Sequence, residues 1–330
     1  MFKKSILFIT TILTATSVST GYGSTDTLKG GVNVETFLDW FNHAEKYAHL
    51  KSLIVLDLIP IILLIAQTIL FFKDGKKLKG ILTISALLAN LIGVFLVIQY
   101  AYPLASKISV WTPDKLPSNW ISVKDDWLNY IGLQGLLGMV GWLCFVVTYF
   151  ITERKNAIVR RLNRFMNFSK NALLFLLVFI LGPGVARLYE FGFFPFPYEI
   201  SGVTFIEMHR PIDLAIRKVG PILFAVIASF HLLLVALFYA EKSKNKAWLI
   251  LAALGFLLCD SFIALQYNGP INDLFLTWSP ATIPTNWTSI RDQWLKYHLY
   301  RDVFIVLGFS SILLTFFIQK DKSATQVSGI

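Results

Sequence analysis

Arg291, Trp294, His298 and Arg301 are spaced i, i+3, i+7 and i+10, so a helix through them carries all four on one face. That face sets an imidazole between two cations and beside an indole, residue types that can hold a ligand or move a proton. The indole offers a stacking surface for a planar ligand. Further polar residues gather in the same half of the chain. Arg187 and Glu190 follow Gly182-Pro183-Gly184, where a helix is expected to kink or break. Glu207, His209, Arg210 and Asp213 are expected in the loop after it. Asp260 and Gln266 come next, then Asn268 and the run Pro270-Ile271-Asn272-Asp273. Asn286 precedes the four-residue face. The candidate catalytic residues are His298, Arg291 and Arg301. The candidate ligand contacts are Arg187, Glu190, His209, Asp260, Asn268, Asn272, Asn286 and Trp294. A second reading stands beside this one for Trp294 and Asn286. Interfacial Trp is common, and Asn286 or Thr285 suits a helix cap.

Metal chemistry is a weaker reading. His209 and His298 with Glu207 or Asp213 have suitable residue types, but no metal and no cofactor are expected. His231 sits mid-run in Ser229-Phe230-His231-Leu232, with no second His at that depth to complete a haem site. It is expected neutral and bonded to a neighbouring helix. Asp57, in another apolar run, is expected to be a locally paired acid. Cys144 and Cys259 both fall in apolar runs and read as small core residues, not as a disulfide.

These residues need a frame, and composition says which. Of 330 residues 55% are hydrophobic and 15% charged, against about a quarter charged in soluble domains. A bilayer core of about 30 Å needs about 20 apolar residues per helix. Runs of that order fall at 5–24, 50–72, 80–102, 130–151, 171–192, 219–240, 247–266 and 302–318. The expected fold is all-α, a polytopic membrane protein of about eight transmembrane helices. The net charge of +10 does not imply nucleic acid, because the basic residues sit in short loops between apolar runs. With the N-terminus cytoplasmic, the inside segments hold 17 basic and four acidic residues. This positive-inside bias puts both termini in the cytoplasm of a multi-pass cell-membrane protein.

Residues 98–130 match 265–297 without a gap, with thirteen identities. They include Trp111/Trp278, Pro117/Pro284, Asn119/Asn286, Trp120/Trp287 and Trp127/Trp294. Thr36-Phe37-Leu38-Asp39 matches Thr204-Phe205-Ile206-Glu207. Two tandem four-helix repeats in the same direction are therefore expected, about an axis along the membrane normal. The first covers 1–151, a cytoplasmic basic linker 152–170, the second 171–318, and a tail 319–330. Residues 1–20 have the look of a secretory signal, yet they occupy the place of 171–192, so retention as the first helix is expected. The first repeat has Lys124, Ile131 and Gln134 where the second has Arg291, His298 and Arg301. The working site is therefore expected in the second repeat.

The segment Asn268-Gly-Pro-Ile-Asn272-Asp, followed by Trp278, Pro284, Asn286, Trp287, Arg291, Trp294, His298 and Arg301, resembles the anthrone-oxygenase-like family of small four-helix membrane proteins. That pattern has a Pro-x-Asn turn after the third helix and a Trp–His–Arg face on the fourth. The resemblance covers about 171–318 and, in the first half, only 98–130. It implies a cofactor-independent oxygenation of an activated aromatic at the outer face of the second repeat, with His298 as the base, Arg291 and Arg301 holding the enolate, Asn272 and Asn286 donating to its oxygen and Trp294 stacking on the ring. The expected partners are an apolar or aromatic small molecule and membrane lipid. A non-catalytic ligand-binding protein and a transporter are the competing classes.

Overall fold

The structure is a computed structural model and describes residues 2–16, 32–47, 58–151, 169–182, 185 and 199–318. Among these residues every regular element is helical. The helices are α1 (Phe2–Thr16), α2 (Val34–Tyr47), α3 (Ile59–Lys73), α4 (Lys77–Leu96), α5 (Tyr102–Ile108) and α6 (Trp120–Phe150). They continue as α7 (Ser169–Gly182), α8 (Gly202–Ala240), α9 (Lys244–Ile263), α10 (Gly269–Thr277) and α11 (Trp287–Leu314). Single π turns at Val97–Ala101 and Ala264–Asn268 join α4 to α5 and α9 to α10.

Among the described residues five helical stretches are long and apolar enough to cross a membrane: Lys77–Ile108, Trp120–Phe150, Gly202–Ala240, Lys244–Thr277 and Trp287–Leu314. Eight were expected. The other three runs are shorter apolar helices, Lys4–Thr14, Ile59–Lys73 and Ser169–Gly182. Asp57, Arg187 and Glu190 lie outside the described residues, as does linker 152–168. Many large apolar side chains face outward, such as Ile62, Ile81, Ile222 and Leu265. Water would penalise each of them, and lipid does not.

Two expected loops are helix. Glu207, His209, Arg210 and Asp213 lie within α8, not before it. The Ser201 hydroxyl accepts from the Thr204 amide and starts the helix. Asp213 and Arg217, four residues apart, then pair across one turn at 2.7 Å. At 39 residues α8 is about 58 Å long, nearly twice a bilayer core. Its polar first part therefore stands beyond the apolar stretch 219–240. Likewise Pro270-Ile271-Asn272-Asp273 is no turn but the start of α10. Proline lacks an N–H and crowds the preceding turn, and the wider π turn just ahead accommodates both defects. Pro103 follows the other π turn in the same way.

Element bounds recur 167 residues apart. Lys77–Leu96 is matched by Lys244–Ile263, and Val97–Ala101 by Ala264–Asn268. The helices starting at Trp120 and Trp287, and those ending at Lys73 and Ala240, keep the same interval. The tight turns after α3 and α8 both use a left-handed residue, Gly75 at φ 73° and Lys242 at φ 57°.

The two halves meet through reciprocal contacts. Glu207 accepts from Asn33 at 3.1 Å and from the Thr36 hydroxyl at 2.5 Å. In return Asp39, the residue matching Glu207, accepts from the Ser201 amide at 2.8 Å. Lower down, Trp142 lies 6.3 Å from Phe309 and Tyr149 lies 5.0 Å from Phe316, each ring against its own counterpart. Trp142 and Val146 share one core with Leu177, Leu234, Ile250 and Phe309.

Matched positions differ in tolerance. A Cβ on Gly141 would come within 3.1 Å of the Ala86 carbonyl and 2.8 Å of Asn90 Nδ2. On Gly308 it would meet only ordinary contacts, 3.5 Å from the Ala253 carbonyl. Gly141→Ala is expected to cost about 1–3 kcal/mol by overpacking and Gly308→Ala much less. Apparent melting temperatures in detergent check this, and equal losses would contradict the packing.

Candidate functional site

Two aromatic clusters sit at the end of the bundle remote from the turns at 73–77 and 240–244. In the first half Trp127 packs edge-on to Phe37 at 6.3 Å and to Phe41 at 5.1 Å. Leu128, Ala101, Ala105 and Ile108 close the cluster. In the second half Trp294 packs edge-on to Phe205 at 5.7 Å and to His209 at 5.0 Å. Leu295, Phe275 and Trp278 belong to that cluster. The two clusters share this arrangement of rings, but four matched positions change character. Phe41 is matched by His209, Ala101 by Asn268, Ala105 by Asn272 and Ile131 by His298.

The two new amides bond to Trp294, and the two new imidazoles pack against its ring. Its Nε1–H donates to Asn272 Oδ1 at 2.6 Å. Its carbonyl accepts from Asn268 Nδ2 at 3.1 Å. Asn272 Nδ2 donates to Asp213 Oδ1 at 3.0 Å. Arg217 binds the other Asp213 oxygen and also Asp273, both at 2.7 Å. The His298 ring lies 4.0 Å from the indole, centroid to centroid. His209 lies parallel to Phe205 at 5.6 Å and edge-on to Phe275 at 5.1 Å. Asn268, Asp213 and His298 are buried. Asn268 is the last residue of its π turn and Asn272 lies one helical turn further on. The turn thus presents both amides to α11.

The sequence-derived set divides on this geometry. Trp294, His298, His209, Asn268 and Asn272 come together. Asp213, grouped with them but not ranked as a ligand contact, joins the same network. Its i+4 relation to both His209 and Arg217 is the signal that could have singled it out. Asp260 pairs with Arg301 at 2.8 Å, both largely buried, away from the aromatic frame. The matching residues in the first half, Gly93 and Gln134, also approach each other, so the ion pair replaces an existing contact. Arg291 stacks on Trp287 at 4.7 Å and pairs with Asp292 at 2.8 Å. Lys124 repeats this with Trp120 at 5.7 Å and Asp125 at 3.4 Å. That repetition, in the half lacking both histidines, marks Arg291 as part of the helix start. Glu207 belongs to the contact between halves. Asn286 stands at the first turn of α11, but its side chain makes no capping bond there. The backbone closes that turn instead, Trp287 N donating to the Pro284 carbonyl at 3.1 Å.

Arg210 donates to the Trp278 carbonyl and so ties α8 to the end of α10. His231 bonds through Nδ1 to the Ile227 carbonyl of its own helix at 2.8 Å, not to a neighbouring helix as expected. Cys259 is exposed and is not a core residue; both cysteines are free. No group of three His, Cys, Asp or Glu with metal-site geometry occurs among the described residues.

The Asp260–Arg301 pair generates a prediction. Removing one partner of a buried pair costs about 3 kcal/mol or more, whereas replacing both can be neutral. Asp260→Gly alone should lower the melting temperature more than Asp260→Gly with Arg301→Gln, which restores the first-half combination. A double variant no more stable than the single one would contradict this. No protein-family model, characterised protein or solved structure matches this chain.

Proposed function

We propose that this chain is a duplicated four-helix membrane protein with cytoplasmic termini, whose second unit binds and oxygenates an activated aromatic small molecule without a cofactor. The recurrence of element bounds and the reciprocal contacts between halves support the duplication. One observation carries the functional reading. Within a repeated aromatic frame, only the second half replaces apolar residues with His209, Asn268, Asn272 and His298. Buried polar groups cost stability unless bonded, so such a set is retained for use and not for packing.

The chemistry follows from the residue types. A histidine on Trp294 removes a proton from an acidified C–H of the ligand. The electron pair stays on the ring system as an enolate. Molecular oxygen adds to that carbanion, and loss of water leaves a ketone where a CH₂ stood. The stoichiometry is CH₂ plus O₂ giving C=O plus H₂O. Asn268 and Asn272 bond to the Trp294 that both histidines border, and aromatic rings frame the site. The face of α11 supplied His298 as the base in the sequence reading, and His209 now stands beside it on the same indole.

Arg301 is already neutralised by Asp260, and this favours a second reading, ligand binding without turnover. Anthrone under air separates the two. Oxygenation predicts anthraquinone formation by purified protein, with a combined His209→Phe and His298→Ile variant slower by about 10²–10⁴-fold, the usual range for a lost general base. Binding without turnover predicts that anthrone is recovered unchanged. An undiminished rate in the double variant would sink the oxygenase proposal.

A further inference from the structure

Asn272 has only one possible amide orientation. Trp294 Nε1 can only donate, and it meets Asn272 Oδ1. The Asp213 carboxylate accepts from Asn272 Nδ2. Asp213 is in turn fixed by Arg217. A chain of side chains from α8, α10 and α11 therefore holds that amide rigidly. His209 sits one turn before Asp213 on α8, with its ring beside the Asn272 amide. One Asn272 N–H is taken by Asp213, and Oδ1 still has a second lone pair beside the one used by Trp294.

Three aromatic contacts fix the His209 ring itself. It is parallel to Phe205, with 4° between planes, and nearly perpendicular to Phe275 and Trp294. Its Nε2 is buried and meets no hydrogen-bond partner among the described residues. A phenyl ring at the matching place, Phe41, satisfies the same packing with no polar atom. The imidazole therefore adds nothing to the frame except its two nitrogens, of which Nε2 is bare. A bare ring nitrogen in an aromatic enclosure is costly unless something fills it.

We propose that Asp213 and Asn272 are positioning residues that hold His209 with its proton on Nδ1, donated to Asn272 Oδ1, and that the lone pair on Nε2 is the proton acceptor of the site. This rests on the reading of the cluster as a ligand site. The ligand's C–H or O–H proton moves to Nε2, and the electron pair stays on the ligand. The imidazolium formed keeps its Nδ1–H on Asn272, whose Oδ1 is oriented to receive it. The proton later leaves with the oxygen reduced to water. His298 then packs against the indole without being the base.

Two measurements test this on the full-length protein in nanodiscs. The first needs no ligand. Histidine labelled with ¹⁵N gives tautomer-specific shifts, and His209 is identified among the five histidines by its loss in His209→Phe, the first-half residue. The expected result is a protonated Nδ1 and an unprotonated Nε2, becoming a tautomer mixture in Asn272→Leu. A protonated Nε2 or a mixture in the wild-type protein overturns the positioning role. The second follows wash-in of deuterium at the CH₂ of anthrone under argon. His209→Phe should slow protein-catalysed exchange by about 10²-fold or more, and His298→Ile by much less. Wild-type exchange in His209→Phe overturns the base assignment alone. Expected shifts with no exchange in any variant would instead reject the oxygenase reading and leave the geometry of His209 standing.

Discussion

The indole of Trp294 is the fixed point from which the second half is organised. Its N–H ends on Asn272, its carbonyl takes Asn268, and its ring borders Phe205, His209, Phe275 and His298. Trp127 occupies the corresponding place with no such polar neighbours, among Phe37, Trp40, Phe41, Ala101 and Ala105. Aromatic edge-to-face pairs contribute about 0.5–1.5 kcal/mol each beyond their buried area, so both frames are stable as packing. The difference lies in what the frames enclose. Alanine and phenylalanine need nothing further, whereas each buried amide or imidazole must be bonded or lose about 1–3 kcal/mol. The second half meets part of that demand with a network running from Arg217 to Trp294, and leaves His209 Nε2 and Asn268 Oδ1 outside it.

The bilayer explains why the network sits where it does. Backbone groups in hydrocarbon must be satisfied internally, which makes long continuous helices the rule. Helix α8 extends past the apolar stretch 219–240 before its charged residues begin. Glu207, Asp213 and Arg217 thus avoid the cost of charge at bilayer depth. The π turns solve a related problem. They let Pro103 and Pro270 enter continuous helices and rotate the residues that follow by a fraction of a turn. In the second half that rotation brings Asn268 and Asn272 against α11.

Much of this was legible in the residues. The periodicity of 291, 294, 298 and 301 gave the helical face, and the offset match of 98–130 with 265–297 anticipated the paired element bounds. Charge density misled at 207–213, where a polar run looked like a loop but forms a helix standing beyond the membrane core. Proline misled at 270, because a π turn absorbs it and no sequence pattern announces that. Arg291 and Arg301 look alike on a helical wheel. Only three-dimensional neighbours separate them, Arg291 repeating the stacking of Lys124 and Arg301 taking Asp260. Glu207 sat among the site candidates by proximity in sequence. Its partners, Asn33 and Thr36, lie more than 170 residues away, beyond the reach of spacing arguments.

The proposed duplication also accounts for the asymmetry between halves. An isologous contact is made twice, so a residue such as Glu207 or Asp39 is constrained by its partner half whatever its own half does. Rings on the symmetry line, Trp142 against Phe309 and Tyr149 against Phe316, can differ from each other because each still meets a ring. Around Trp127 the second half contributes Met208, an apolar contact. Apolar filling of one cluster therefore leaves the joint between halves intact. Under this constraint one unit can serve as a packing partner while the other carries a costly polar centre, and the stability lost at His209 and Asn268 is offset by the purely apolar cluster around Trp127.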